Sequence, residues 1–145
     1  MSYLKHEVLI DTPIEKVFLI SQDYNLRIDW DSDLYEYNFE KGVMPKKAAV
    51  VWESYMDDSE MTLEFVSFIP HTYVAFKMTD GPDHLKKFTG AWKFEKKGNS
   101  TKTTFTCSYE FKSGFMNSLK SPIYKSKLQK MIKTRVEDLK EYFEV

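Results

Sequence analysis

SPIYKSKLQKMIKTRVEDLKEYF, residues 121–143, reads as one long amphipathic helix. Tyr124, Leu128, Met131, Ile132, Arg135 or Val136, Leu139, Tyr142 and Phe143 recur at the helical period. Lys125, Lys127, Lys130, Lys133 and Glu137 fall on the other side. Ser121-Pro122 makes a helix start, and Phe115 to Leu119 could add a turn before it, kinked at Pro122. At 1.5 Å per residue the helix would span about 35 Å, enough to cross a whole sheet.

The rest of the chain supplies that sheet. Tyr3 to Ile10 reads as a first strand. Asp11 or Thr12 can cap a short helix with Pro13 at its first position and Ile14, Val17 and Phe18 on its apolar face. Ser21 and Asp23 look like a second cap, leading into a helical turn through Arg27 that ends at Trp30. Six strand-like runs follow: 34–40, 48–56, 61–69, 72–78, 86–96 and 101–111. In the first of these Tyr35, Tyr37 and Phe39 share a face. The alternation Met61, Leu63, Phe65 slips to Val66 and Phe68, the mark of a bulge or bend. In the last two, Phe88, Gly90, Trp92 and Phe94 share a face, as do Phe105, Cys107, Tyr109 and Phe111. Short turns between them, such as 41–45, Asp57-Asp58-Ser59, Asp80-Gly81-Pro82-Asp83 and Gly98-Asn99, imply an antiparallel meander. The expected architecture is α+β: a curved seven-stranded antiparallel sheet wrapped around the C-terminal helix, with two short helices after the first strand.

A length of 145 residues fits a single domain over 1–145. Aromatic residues make up 16% of the chain, enough to fill a core and also to line a pocket. The net charge of −1 and the lysines spread over turns and one helix face argue against nucleic acid as a partner. Cys107 is the only cysteine, so no intramolecular disulfide can form and a cytoplasmic location is the simplest one. The N-terminal stretch has no signal-peptide core and no run reaches a membrane span, so no stable membrane insertion is expected. Oligomeric state is not legible.

Several stretches resemble the START-related helix-grip superfamily, in its polyketide cyclase/dehydrase and lipid-transport branch. They are Ile10-Asp11-Thr12-Pro13-Ile14-Glu15-Lys16-Val17-Phe18, the spacing of Asp23 to Trp30, Ile69-Pro70, Gly90-Ala91-Trp92-Lys93-Phe94 with Thr101 and Thr103, and Leu139-Lys140. The resemblance spans essentially the whole chain, with His71 standing where a second proline is frequent. It implies a cavity between sheet and long helix that holds lipids, sterols, polyketides or related molecules. Fold alone does not say whether such a cavity carries, transforms or merely fills.

Candidate chemistry is sparse. Asp29, Asp31, Asp33 and Glu40 mimic a calcium-loop spacing, but Leu34 stands where the loop needs glycine. His6, His71 and His84 show no metal-ligand spacing, and no metal or other cofactor is expected. His71 and His84 lie in loops that could approach one end of the sheet and act as general bases, against the plainer reading of exposed loop histidines. Cys107 reads as a small buried apolar residue. Glu53 is a candidate acid if its face lines the cavity. An outward, ordinary surface acid is the favoured reading, because charges are seldom buried unpaired. Trp30, Trp52, Phe76, Trp92, Phe105, Tyr109, Tyr124, Leu128 and Met131 are the expected cavity lining, the alternative being that they pack together and leave no void. Together these favour binding or transport of a hydrophobic small molecule, with loops near Gly81, His71 and 114–119 gating entry. A cyclase or dehydratase using Glu53, His71, His84 or a tyrosine is the second expectation. A chaperone-associated or regulatory protein-interaction module is the third.

Overall fold

The computed structural model describes residues 2–42 and 45–144, so the middle of the 41–45 turn lies outside the described residues. Seven strands form one antiparallel sheet: β1 (Ser2–Ile10), β2 (Leu34–Phe39), β3 (Val50–Tyr55), β4 (Glu60–Ile69), β5 (Tyr73–Asp80), β6 (Leu85–Lys97) and β7 (Ser100–Phe111). Their order is β1-β7-β6-β5-β4-β3-β2, a meander from β2 to β7 that is completed by β1 pairing beside β7. Helices α1 (Ile14–Gln22) and α2 (Tyr24–Trp30) follow β1, and α3 (Ser113–Met116) precedes α4 (Ser121–Phe143). This is the helix-grip architecture. α4 starts with Pro122 in its first turn, where a missing N–H costs nothing, so proline begins the helix instead of kinking it.

Strand periodicity sets the concave face. Phe88, Gly90, Trp92 and Phe94 of β6, and Phe105, Cys107, Tyr109 and Phe111 of β7, are all buried. They meet Leu128, Ile132, Val136 and Leu139 of α4 in one core, joined by Val17 and Phe18 of α1. The slip in β4 is a bulge: the register with β5 shifts between Phe65 and Ser67, leaving Val66 exposed. A second bulge, in β2, corrects the expected Tyr35–Tyr37–Phe39 face. The register with β3 shifts between Leu34 and Glu36, which turns Leu34 inward and leaves Tyr35 exposed.

The first helix also departs from expectation. Pro13 occupies the N-cap of α1 without a side-chain cap bond. Asp11 instead accepts a bond from the Ser100 hydroxyl at 2.9 Å, and the Thr12 carbonyl accepts from Thr101 at 2.7 Å. These polar groups tie the start of α1 to β7 instead of satisfying its free N–H groups. Asp23 does cap α2, accepting the Asn25 N–H at 2.9 Å. Ser32 closes the other end of the support: its N–H and hydroxyl both donate to Asp138 of α4, at 2.9 and 2.6 Å.

Candidate ligand cavity

A cavity of about 310 Å³ lies between β3–β6 and the first half of α4. That is at the small end of the range for ligand sites. Its inner wall is built from the buried side chains of Met61, Leu63, Phe76, Phe88 and Leu128. Asp57, Glu60, Lys127 and Lys130 are exposed and form its mouth. Lys127 pairs with Asp57 across that mouth, tying α4 to the β3–β4 turn. Burial raises the Asp57 pKa, but its bonds from Lys127 and Ser59 outweigh that and bring it down to about 2.

A polar floor adjoins the cavity. Glu53 on β3 is 1% exposed, and every oxygen is used: Oε2 accepts from the Tyr24 hydroxyl at 2.5 Å and Arg27 Nη1 at 2.8 Å, Oε1 from the Tyr55 hydroxyl at 2.7 Å. Arg27 Nε also donates to Asp31 Oδ2 at 2.8 Å, an i, i+4 pair on α2. Arg135 of α4 approaches the same Asp31 oxygen at 3.5 Å. Two buried arginines thus balance two buried carboxylates. Burial raises the Glu53 and Asp31 pKa values, but the Arg27 and Arg135 charges reverse this and hold both carboxyls below their ordinary range. Burial, then the Glu53 charge, pushes the Tyr24 and Tyr55 hydroxyls well up. Both stay protonated donors. Tyr55, Asp33 and Arg135 carry this polar floor to the cavity surface.

The sequence-predicted residues divide sharply. Phe76, Tyr124, Leu128 and Met131 line the cavity. Trp30, Trp92, Phe105 and Tyr109 are buried but are absent from its lining. Trp92 instead packs edge-on against both Trp30 and Phe105, at 6.3 and 4.9 Å between ring centroids, and Tyr109 packs on Phe111. There the rings pack on one another and lie outside the cavity lining. Trp52 is on the convex face, where its indole N–H donates to Glu60 at 2.8 Å, because alternation sends its neighbours Val51 and Glu53 inward. Glu53 is therefore corrected from an outward surface acid to a buried, paired one.

The two loop histidines lie at opposite ends of the sheet. His71 is exposed in the β4–β5 turn, edge-on to Phe18, far along β4 from the mouth. His84, in the β5–β6 turn, is wedged between Phe115 and Tyr124 at 4.5 and 4.0 Å, outside the cavity lining. Burial, then Lys127, lowers its pKa. Of the expected gates, the loop after Gly81 contributes Pro82 to the cavity, whereas residues 114–119 contribute nothing to it. Asp31 of the calcium-like spacing is taken by Arg27, and among the described residues no three His, Cys, Asp or Glu side chains cluster as metal ligands.

Sequence reasoning missed Arg27, Asp31 and Arg135. A signal existed for each: Arg27 and Asp31 are spaced i, i+4, and Arg135 interrupts the apolar stripe of α4.

Comparison with known proteins gives a consistent picture. No curated protein sequence matches this chain. Among solved structures, a Streptomyces aromatase/cyclase, Zhui, superimposes with a TM-score of 0.84 at 11% identity, over 99% of this chain and 93% of that one. A START superfamily protein from Mycobacterium smegmatis gives 0.77 at 13% identity, over 98% and 97%. A major latex-like protein from Panax ginseng gives 0.75 at 15%, over 98% and 97%. At these identities the likeness is one of fold. The sequence model of polyketide cyclase/dehydrase and lipid transport matches residues 1–144. With that match over the whole length, the chain belongs to the polyketide cyclase/dehydrase and lipid-transport family.

Proposed function

We propose that this protein binds and carries a hydrophobic small molecule in the cavity between sheet and α4. The observation that carries this reading is the cavity itself: a space of about 310 Å³ walled by Met61, Leu63, Phe76, Phe88 and Leu128. At roughly 30 Å³ per water-sized group it accommodates an apolar body of about ten heavy atoms. Burial of that body supplies about 25 cal/mol per Å² before the cost of ordering the ligand. The interaction-module reading needs a filled interior, which such a cavity does not favour. A cytoplasmic location is part of the proposal, on the single buried thiol of Cys107 and the lack, among the described residues, of a helix long and apolar enough to cross a membrane.

A cyclase-type role is the second reading. Asp33 favours it, because this half-buried carboxyl lines the cavity with its pKa raised: burial, helped by Asp31 and Asp57, outweighs the lowering pull of Arg135 and Arg27. Glu53, by contrast, is 1% exposed, bonded at both oxygens and absent from the cavity lining. Native mass spectrometry of protein isolated from its own host, followed by extraction and identification of the adduct, tests the main reading. A bound apolar molecule released unchanged supports a carrier. Release of a cyclised or dehydrated product from an added precursor supports the enzyme. Protein that is always empty and unshifted by any lipid or polyketide panel would refute both.

A further inference from the structure

Arg135 is the least satisfied charge in the molecule's interior. Its side chain is 6% exposed and lines the cavity, yet Nε is buried without a hydrogen-bond partner. Asp31, its nearest carboxylate, is already committed. Oδ2 accepts from Arg27 at 2.8 Å, and Oδ1 accepts from the backbone N–H groups of Asp33 and Leu34 at 3.0 and 3.3 Å. Arg135 Nε lies 3.5 Å from Asp31 Oδ2, close enough for Coulombic attraction but without a formed bond, which leaves the Nη end of the fork for a ligand. Glu53 is engaged at both oxygens, Oε2 by Tyr24 and Arg27 and Oε1 by Tyr55. Arg27 itself has Nη2 buried and unpartnered, so donors outnumber acceptors throughout this floor.

A guanidinium has five donors and no acceptor, and leaving such donors unpaired in an apolar site is costly. The Phe105 ring, 5.2 Å from the guanidinium carbon, holds one face of Arg135 by a cation–π contact. The rest of the planar fork is shaped for a carboxylate. Apart from the polar groups of Ser32, Asp33, Tyr55 and Thr134, the inner wall is the hydrocarbon of Met61, Leu63, Phe76, Phe88 and Leu128.

We infer that the cavity selects an amphiphile with a carboxylate end, which seats on Arg135 while the apolar body lies along Met61, Leu63, Phe76 and Leu128. The inference rests on the cavity being a ligand site, and it adds the ligand's charge and orientation. Lys127 and Lys130 at the mouth are the competing cations, but both are exposed and Lys127 is paired with Asp57. Asp33, on the same lining, opposes an anion, so its neutralisation should strengthen acid binding.

Matched ligands of one shape and different charge test this at pH 7.5. Decanoic acid is compared with 1-decanol, and 2-naphthoic acid with 2-naphthol, by titration calorimetry. In at least one pair the acid should bind about tenfold tighter, the value of a bond to a charged group. The pair that shows it tells whether the body is aliphatic or aromatic. Arg135→Met should bring that ratio to about one while leaving the neutral ligand bound. Asp33→Asn should raise the acid's affinity, and a Lys127→Ala, Lys130→Ala double variant should keep the preference. If Arg135→Met fails to fold, the native ratio and its survival in the double lysine variant still decide, since Arg135 is then the remaining cation of the lining. Neutral and acidic ligands binding equally would overturn the carboxylate inference and leave the cavity reading standing. A preference lost with the two lysines, or acid binding weakened by Asp33→Asn, would overturn the assignment to Arg135. Binding of neither ligand in either pair would overturn the cavity reading as well.

Discussion

Glu53 keeps its charge inside the protein because Arg27 lies 2.8 Å away and two tyrosine hydroxyls complete its bonding. Removing one partner of such a pair is far worse than never having built it, and Arg27 would be left buried with Asp31 as its one remaining carboxylate partner. Glu53→Gln should therefore cost about 3 kcal/mol, read as a lower urea midpoint at unchanged slope. An unchanged midpoint would show that the network contributes nothing to the fold. The sign of the pH dependence follows from the lowered pKa values. With Glu53 and Asp31 below their ordinary 4.5 and 3.8, their contribution is present above those values and is lost as pH falls through the folded-state ones. Acid unfolding of the native protein should be steep there and shallower in Glu53→Gln. Cys107, 1% exposed, has its thiol pushed up to about 11 by burial. Iodoacetamide at pH 8 should leave it unmodified in the native protein and label it once denatured; fast native labelling would contradict its placement. The thiol's environment was legible from strand alternation. The burial of Glu53 was not: alternation put it on the Val51 face, but a partner 26 residues away decides whether that face tolerates a charge.

Strands β6 and β7 and helix α4 declare themselves in the sequence because each repeats its period over many residues. The bulge at Tyr35 does not, since one inserted residue in a six-residue strand leaves too few positions to show the shift. Nor does the use of Asp11, which looks like a cap but bonds Ser100 on a strand 89 residues later. Gly90 in β6 shows an element shaping the site. A Cβ there would fall 2.6 Å from two atoms of the Phe76 ring and 3.2 Å from Phe105. The ring has one direction of retreat that matters, since Phe76 already lines the cavity. Gly90→Ala should destabilise the protein by about 1–3 kcal/mol, the usual cost of overpacking, and weaken ligand binding along with it. Normal affinity in a destabilised variant would mean that Phe76 relaxes away from the ligand site.

The molecule as a whole is a sheet held against one helix by ties of different chemistry. Ser32 bonds Asp138, the arginine–carboxylate floor joins α2, β3 and α4, and Lys127 meets Asp57 at the open end. The apolar core closes where Trp92, Trp30 and Phe105 interlock, and leaves a cavity of about 310 Å³ between β3–β6 and the first half of α4. The grip was readable from the order of elements. Which aromatics close it and which leave it open was not, because that depends on side chains meeting across the sheet. The central claim is that this cavity is where the ligand binds. Methyl NMR during titration with 1-decanol and decanoic acid tests it directly. The ε-methyl signals of Met61 and Met131 and the methyls of Leu63 and Leu128 should shift together and saturate, while those of exposed Met116 and Leu9 stay still. Shifts confined to Met116 and Leu9, or no saturating shift at the four cavity residues, would contradict it.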